Sequence, residues 1–280
     1  MEKARGTKNL DFSIINIDKP AGPTSFSIDE IVKKRLGLKK ASHFGTLDPG
    51  VTGVLPIALN RACKLLGYFI HHNKTYVGIM RIHEDISEDK LKIEMKKFIG
   101  KIKQLPPVKS RVKRQERERE VFSWKILEKQ GKDILFSCEV EAGTYIRKLI
   151  SDLGNKIGGA HMLELRRTRA GIFSEKDKNF ITLYELEKAI SERKLDNILI
   201  PADEGIKKIL PVVQVKEEAR KKLWNGSPLF KEMTKGEVKT KEGEAAVFSD
   251  KVFIGIYNIK EEGKILGKPE WVYRPQFSVK

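Results

Sequence analysis

The texture of this chain changes at a connection bracketed by Pro201 and Pro211, and that change constrains the fold more than any other feature. Upstream, strand-like and helix-like segments interleave without regular alternation, which indicates an α+β domain. Downstream, short strands are expected between frequent glycines (Gly226, Gly236, Gly243, Gly255, Gly263 and Gly267), the pattern of a small β-rich domain. At 280 residues the chain is long for one compact domain, and 40% hydrophobic residues supply a sizeable core. The expected division is 1–210 and 211–280.

Within the first part, residues 1–13 are polar and expected to be loosely held. Ile14–Asp18 reads as an apolar strand that ends in the breaker Lys19-Pro20-Ala21-Gly22-Pro23. Ser27 is expected to cap a helix with Ile28, Ile31 and Val32 on one face and Gly37 as its stop. A glycine-rich loop, GTLDPGVTGVL, fills 45–55, and a helix carrying Leu65, Leu66 and Phe69 follows. Tyr76–Ile82 reads as a strand, and Leu91, Met95, Phe98 and Ile99 as a helix ending at Gly100. Residues 109–119 form a charge run with six basic side chains. Two strands come next; in the second, Ile134, Phe136, Cys138 and Val140 alternate as in a half-buried strand. GTYIRKLISDLG (143–154) opens a helix with Ile146, Leu149, Ile150, Leu153 and Ile157 inward. Met162–Phe173 looks extended, and Thr182 with Glu185 fits a capping box for a helix through Ile190.

A net charge of +17 and a pI near 9.7 call for a polyanionic partner. No apolar run approaches the roughly 20 residues that span a bilayer, and the N-terminus has no signal-like apolar stretch. Nucleic acid is therefore favoured over membrane. Cys63 and Cys138 stand alone, and the five histidines make no metal-ligand spacing with them. The expectation is a cytoplasmic, thiol-reduced protein without a structural metal.

The most informative stretch is His43–Gly53. Its glycines let the backbone turn sharply and let another molecule approach, while Pro49 pushes Asp48 towards an extended conformation. Read alone, Asp48 is either a turn residue bonding its own backbone or a carboxylate held over a groove. A phosphate-cradling Walker loop is excluded, because no Gly-Lys-Ser/Thr follows. Four further segments stand in order around it: INIDKPAGPTSFS (15–27), Lys74-Thr75-Tyr76, GTYIRKLISDLG and AHMLELRRTRAGIF (160–173). Together these resemble the pseudouridine synthases related to bacterial TruB and eukaryotic dyskerin.

The resemblance implies a mixed, mainly antiparallel sheet flanked by helices, with Asp48 as the catalytic residue. It implies isomerisation of uridine in RNA, which is redox-neutral and calls for neither cofactor nor metal. A nucleophilic carboxylate must stay ionised in a desolvated site, and Arg147 is the implied partner that favours its charge. Tyr76 would stack on the flipped uracil, with Tyr145 and Leu165 lining the pocket wall; for each, ordinary packing is the alternative. Lys19 fixes the Lys-Pro turn and is a candidate phosphate contact. His43 either faces the RNA or caps the loop. Arg166, Arg167, Arg169 and the 109–119 cluster suit phosphate contacts.

Residues 211–280 resemble a PUA domain, a small β-rich RNA-binding fold, on Ala219, Leu223, Asn225-Gly226, Glu244–Val247 and Val252–Ile256. Leu229–Val238 departs from that pattern. The short passage Ile82-His83-Glu84-Asp85 after Tyr76, and the basic stretch Leu105–Arg114, are similar to the archaeal dyskerin-like branch. Its implied partners are an H/ACA guide RNA, substrate rRNA or tRNA, a small zinc-ribbon protein, a glycine/arginine-associated β-barrel protein and a kink-turn-binding protein. A guide-independent tRNA enzyme and a non-catalytic RNA-binding protein are the alternatives.

Overall fold

The computed structural model describes residues 10–105, 115–238, 240 and 242–274. It separates into two compact units, Met1–Ala202 and Asp203–Lys280, so the division falls ahead of Pro211.

The first unit runs β1 (Ser13–Lys19), α1 (Ser25–Arg35), β2 (Ala41–His43), β3 (Thr52–Leu59), α2 (Leu66–Ile70), β4 (Lys74–Ile82), α3 (Glu88–Lys96), β5 (Gly100–Gln104), β6 (Arg117–Gln130), β7 (Asp133–Val140), α4 (Ile146–Ile157), β8 (Ala160–Ala170), β9 (Phe173–Ser174), β10 (Phe180–Ile181), α5 (Leu183–Ser191) and β11 (Leu199–Pro201). Its strands form one sheet in the order β10-β1-β3-β8-β4-β7-β6-β5, with β11 on β1, β2 on β3 and β9 on β8. β1–β10 and β3–β8 run parallel; the other described pairs are antiparallel.

Strand alternation decides which face the helices cover. Tyr76, Met80 and Ile82 of β4 point the same way as Ile134, Phe136, Cys138 and Val140 of β7, and all are buried. Against them pack Leu91 and Met95 of α3 and Leu149, Ile150 and Leu153 of α4, in one core that also takes Ile28 and Val32 of α1 and Leu186 of α5. The three- and four-residue spacing in α4 gives a single apolar stripe, and left-handed Gly158 (φ +82°) ends that helix.

Several sequence expectations need correction. The α1 cap is Thr24, whose hydroxyl accepts the Ser27 N–H at 3.0 Å; the breaker ends at Pro23, and the first side-chain oxygen after it takes the cap. The expected helix carrying Leu65, Leu66 and Phe69 comes in two pieces, a 3-10 helix over residues 60–65 followed by α2. The α3 helix ends at Lys96, and Gly100 (φ +96°) opens β5 instead. Residues 10–13 are ordered, with Phe12 and Ser13 buried. Of the 109–119 run, Arg117–Arg119 begins β6, and 109–114 lies outside the described residues. The Thr182–Glu185 capping box is present in full.

Gly53 joins the sheet to the loop before it. It pairs with Lys19 of β1 and with Arg167 of β8. Its φ is +100°, and an added Cβ would lie 2.2 Å from the Arg167 carbonyl oxygen. Gly53→Ala should therefore cost about 3 kcal/mol or more, combining left-handed strain with a backbone clash. Chemical denaturation of the variant measures the loss.

A short helix, α6 (Ala202–Ile206), spans the division. The second unit then contains β12 (Val212–Gln214), α7 (Arg220–Trp224), β13 (Leu229–Phe230), β14 (Glu242–Ser249), β15 (Val252–Glu262) and β16 (Ile265–Val272), ordered β12-β14-β15-β16-β13. Its core surrounds Tyr257, whose hydroxyl donates towards the carbonyls of Leu223 and Ser227, each at 3.3 Å. Gly255 and Gly267 lie within strands, not turns. At Gly255 a Cβ would meet the Trp271 carbonyl at 2.3 Å, so close strand approach is what requires glycine there. No helix among the described residues is long and apolar enough to cross a membrane.

Candidate active site

The Asp48 loop is clamped from two sides. Lys19, fully buried, donates from Nζ to the carbonyls of Pro20 (2.8 Å), Pro49 (2.9 Å) and Val51 (2.8 Å). Ser25, at the start of α1, gives its hydroxyl to the Leu47 carbonyl at 2.9 Å and accepts the Leu47 N–H at 2.8 Å. The Val51 N–H bonds the Asp48 carbonyl at 3.0 Å and closes the turn. Lys19 thus has no surface to offer a phosphate, which corrects that expectation. Its charge satisfies loop carbonyls that would otherwise be orphaned. Burial lowers its pKa, and the Asp48 carboxylate opposes that shift.

Held in this way, the Asp48 side chain projects into a cleft of about 580 Å³. Arg147, in the first turn of α4, reaches it with Nη2 2.6 Å from Oδ2. Both side chains are about half exposed, 53% for Arg147 and 49% for Asp48. Such a pair adds little to stability; what it does is orient a carboxylate.

Tyr76, Tyr145 and Leu165 also line the cleft. Tyr76 and Leu165 are nearly buried, and the phenol of Tyr76 is held above its ordinary pKa by burial, against the opposing Arg167 guanidinium. Tyr145 precedes α4; its N–H donates to Gln104 Oε1 at 3.0 Å, and its carbonyl accepts from Gln104 Nε2 at 3.3 Å. His43 is not among the lining residues. Its ring bonds Asp29 Oδ2 (2.7 Å) and Thr46 Oγ1 (3.0 Å), so it braces the loop from behind.

Of the β8 arginines, Arg167 is committed within the protein, contrary to its expected role on phosphates, while Arg166 and Arg169 pair with carboxylates at half-buried positions. Arg167 is buried and donates to the carbonyls of Val54 (2.8 Å) and Gly45 (3.0 Å). Arg166 forks onto Asp18 and also bonds Glu175. Arg169 pairs with Glu139. Apart from Glu175, these partners lie far away in sequence, and the place of β8 between β3 and β4 brings them within reach.

Sequence reading missed Lys74, Arg119 and Glu141 as cleft residues. Lys74 shares the inward face of β4 with Tyr76, a period-two signal that could have found it. Its Nζ donates to the carbonyls of Ile70 (2.5 Å) and His72 (2.6 Å), and burial, aided by the Arg167 charge, lowers its pKa to about 8. Because the unfolded chain keeps that proton to higher pH, this group adds stability as pH rises above about 8. The unfolding free energy of wild type minus that of Lys74→Met should therefore climb between pH 8 and 10. A flat difference in urea titrations would contradict the assignment.

Comparison with known proteins bears directly on this geometry. The family model for the TruB family pseudouridylate synthase N-terminal domain matches residues 33–146, and that for the tRNA pseudouridylate synthase B C-terminal domain matches 147–207. The chain belongs to the TruB family. It is accordingly an RNA pseudouridine synthase, and the first model covers the Asp48 loop while the second begins at Arg147. Among similar curated TruB-family proteins, a probable tRNA pseudouridine synthase B of Methanopyrus kandleri is 41% identical over 268 residues, covering 92% of this chain and 76% of that protein. One from Methanocaldococcus jannaschii is 41% identical over 84% of this chain and 75% of its own length. Among solved structures, a Cbf5–Nop10–Gar1 complex matches with a TM-score of 0.85 at 38% identity, over 95% of this chain and 86% of that one. An H/ACA RNP bound to a substrate RNA containing 2′-deoxyuridine matches with a TM-score of 0.83 at 36% identity, over 95% and 86%.

Proposed function

We propose that Asp48 is the carboxylate that carries out the isomerisation. The supporting observation is its placement: clamped by Lys19 and Ser25, engaged by Arg147 at 2.6 Å and directed into a cleft walled by Tyr76 and Leu165. In the reaction the N1–C1′ bond of uridine breaks and a C5–C1′ bond forms; C5 loses its proton and N1 gains one. The target base must leave its stack to enter the cleft, and Tyr76 provides an aromatic surface for it, an interaction worth about 1–3 kcal/mol per base. Glu141 also lines the cleft, but one of its oxygens accepts the Glu120 N–H and its nearest guanidinium atom is 3.9 Å away. Asp48→Asn should therefore slow turnover sharply where Glu141→Gln does not.

The likeness to Cbf5 in H/ACA assemblies supports a guided enzyme working on rRNA, with relatives of Nop10 and Gar1 as partners; a kink-turn-binding partner and a cytoplasmic location rest on the sequence alone. The curated relatives' names favour a second reading, a tRNA synthase acting without a guide. Pseudouridine sequencing of an rRNA fragment with guide and partner proteins, beside bare tRNA with the chain alone, separates the two. Guided action requires pseudouridine at the guide-selected uridine; modification of bare tRNA alone overturns it.

We further infer that the second unit is a PUA domain that binds the guide. Each unit has its own apolar core, so a chain cut after Ala202 should melt cooperatively. It should bind guide RNA more weakly and with a shallower salt slope, because fewer phosphates are neutralised. Unchanged affinity and slope would remove guide binding from this unit.

A further inference from the structure

Among the described residues lining the cleft, Lys74, Arg119, Arg147 and Arg167 are formally cationic. Three of them are engaged: Arg147 by Asp48, Lys74 by the carbonyls of Ile70 and His72, and Arg167 by those of Val54 and Gly45. Arg119, in β6, is different. Its Nη1 donates to its neighbour's carbonyl, Glu118 O, at 2.9 Å, and its Nε is buried without a hydrogen-bond partner. The facing carboxylate, Glu141, stands 3.9 Å away, beyond hydrogen-bond distance, and its other oxygen is taken by the Glu120 N–H. The guanidinium also lies against Gly143, where an added Cβ would meet Nε and Nη2 at 3.1 Å. Gly143 (φ +84°) lies in the turn, closed by the Thr144 N–H on the Glu141 carbonyl, that precedes Tyr145 and Arg147. An under-committed guanidinium is thus fixed on the cleft wall, four residues in sequence from the partner of Asp48 at its point of contact with Gly143.

We propose that Arg119 binds a backbone phosphate adjacent to the flipped uridine, an inference that rests on the cleft being the site of pseudouridylation. A nucleotide turned into the cleft brings both flanking phosphates to its mouth, and each must find a counter-charge or stay in water. A guanidinium offers several donors in a rigid plane and grips phosphate through two parallel bonds. Glu141, at 3.9 Å, makes no hydrogen bond to Arg119 that a phosphate would have to displace, and the one the guanidinium donates runs from Nη1 to its neighbour's carbonyl. Arg147 is a poorer candidate: leaving Asp48 would uncouple the pair. The contact carries no sequence information; it sets how far the nucleotide enters, and hence where C1′ stands relative to Asp48.

The test is phosphate-ethylation interference on two RNAs in parallel, a bare tRNA transcript and a guide-paired rRNA fragment, with wild type, Arg119→Gln and Arg119→Lys. On the RNA that the protein binds specifically, wild type should show interference at a phosphate next to the modified uridine. Arg119→Gln should lose that one band, bind about tenfold more weakly, and show a log Kd versus log salt slope shallower by about one. Arg119→Lys should keep the band with intermediate affinity. Persistence of the band in Arg119→Gln overturns the proposal. So does a uniform weakening of all bands with a lowered melting temperature in both variants, which would mean that Arg119 only supports the Gly143 turn. The bands report binding, so they stand or fall separately from the identity of the catalytic carboxylate, which the rate of Asp48→Asn decides.

Discussion

Asp48→Asn is expected to slow pseudouridine formation by about 10²–10⁴-fold or more while RNA affinity stays within about twofold of wild type. The amide preserves the shape of the side chain and a contact to Arg147, but it cannot act as a carboxylate nucleophile or base. Positioned proton transfer alone typically contributes 10²–10⁴-fold, so residual turnover within about tenfold would remove Asp48 from the chemistry. Affinity should hold because RNA binding rests on many dispersed phosphate contacts rather than on this side chain. The fold should hold as well: Asp48 is half exposed, and the bonds that clamp its loop come from Lys19 and Ser25 to main-chain atoms.

Arg147→Ala should lower the single-turnover rate by about 10²–10³-fold, comparable to removing a preorganised charge from other active sites. Arg147→Lys should recover only part of that loss, since an ammonium acts as a point charge where a guanidinium fixes geometry. The melting temperature should barely move in either variant, because an ion pair this exposed contributes little to folding. A large drop in melting temperature with a proportionate loss of activity would instead make Arg147 a structural residue of α4.

What could be read from the sequence followed how local each signal was. Alternation in Ile134–Val140, the apolar stripe of α4 and the Thr182–Glu185 box depend on neighbours a few residues apart, and each is present in the fold. Asp48 and Arg147 were legible from motifs, and their meeting at 2.6 Å joins segments 99 positions apart in the numbering. The charged residues around them were misread because burial contradicts what lysine and arginine usually do. Lys19 and Arg167 lie inside the protein as donors to loop carbonyls, and Arg166 is held by Asp18 from across the sheet. Those roles follow from the order β1-β3-β8-β4, which no local pattern encodes. The same topology brings Arg119, expected only as one of a cluster of phosphate contacts, and Glu141, for which no role was expected, to the cleft wall. In the second unit, glycines that suggested turns proved in two cases to mark close strand approach.

Asp48 and Arg147 are expected to act as one unit. A double-mutant cycle on single-turnover rates, using Asp48→Asn, Arg147→Ala and the combined variant at saturating RNA, tests it directly. If the pair works together, the combined variant should be about as slow as Asp48→Asn alone, since Arg147 has nothing left to support once the carboxylate is gone. If the two losses multiply, the residues act independently, and the 2.6 Å contact between them is not the working geometry of the site.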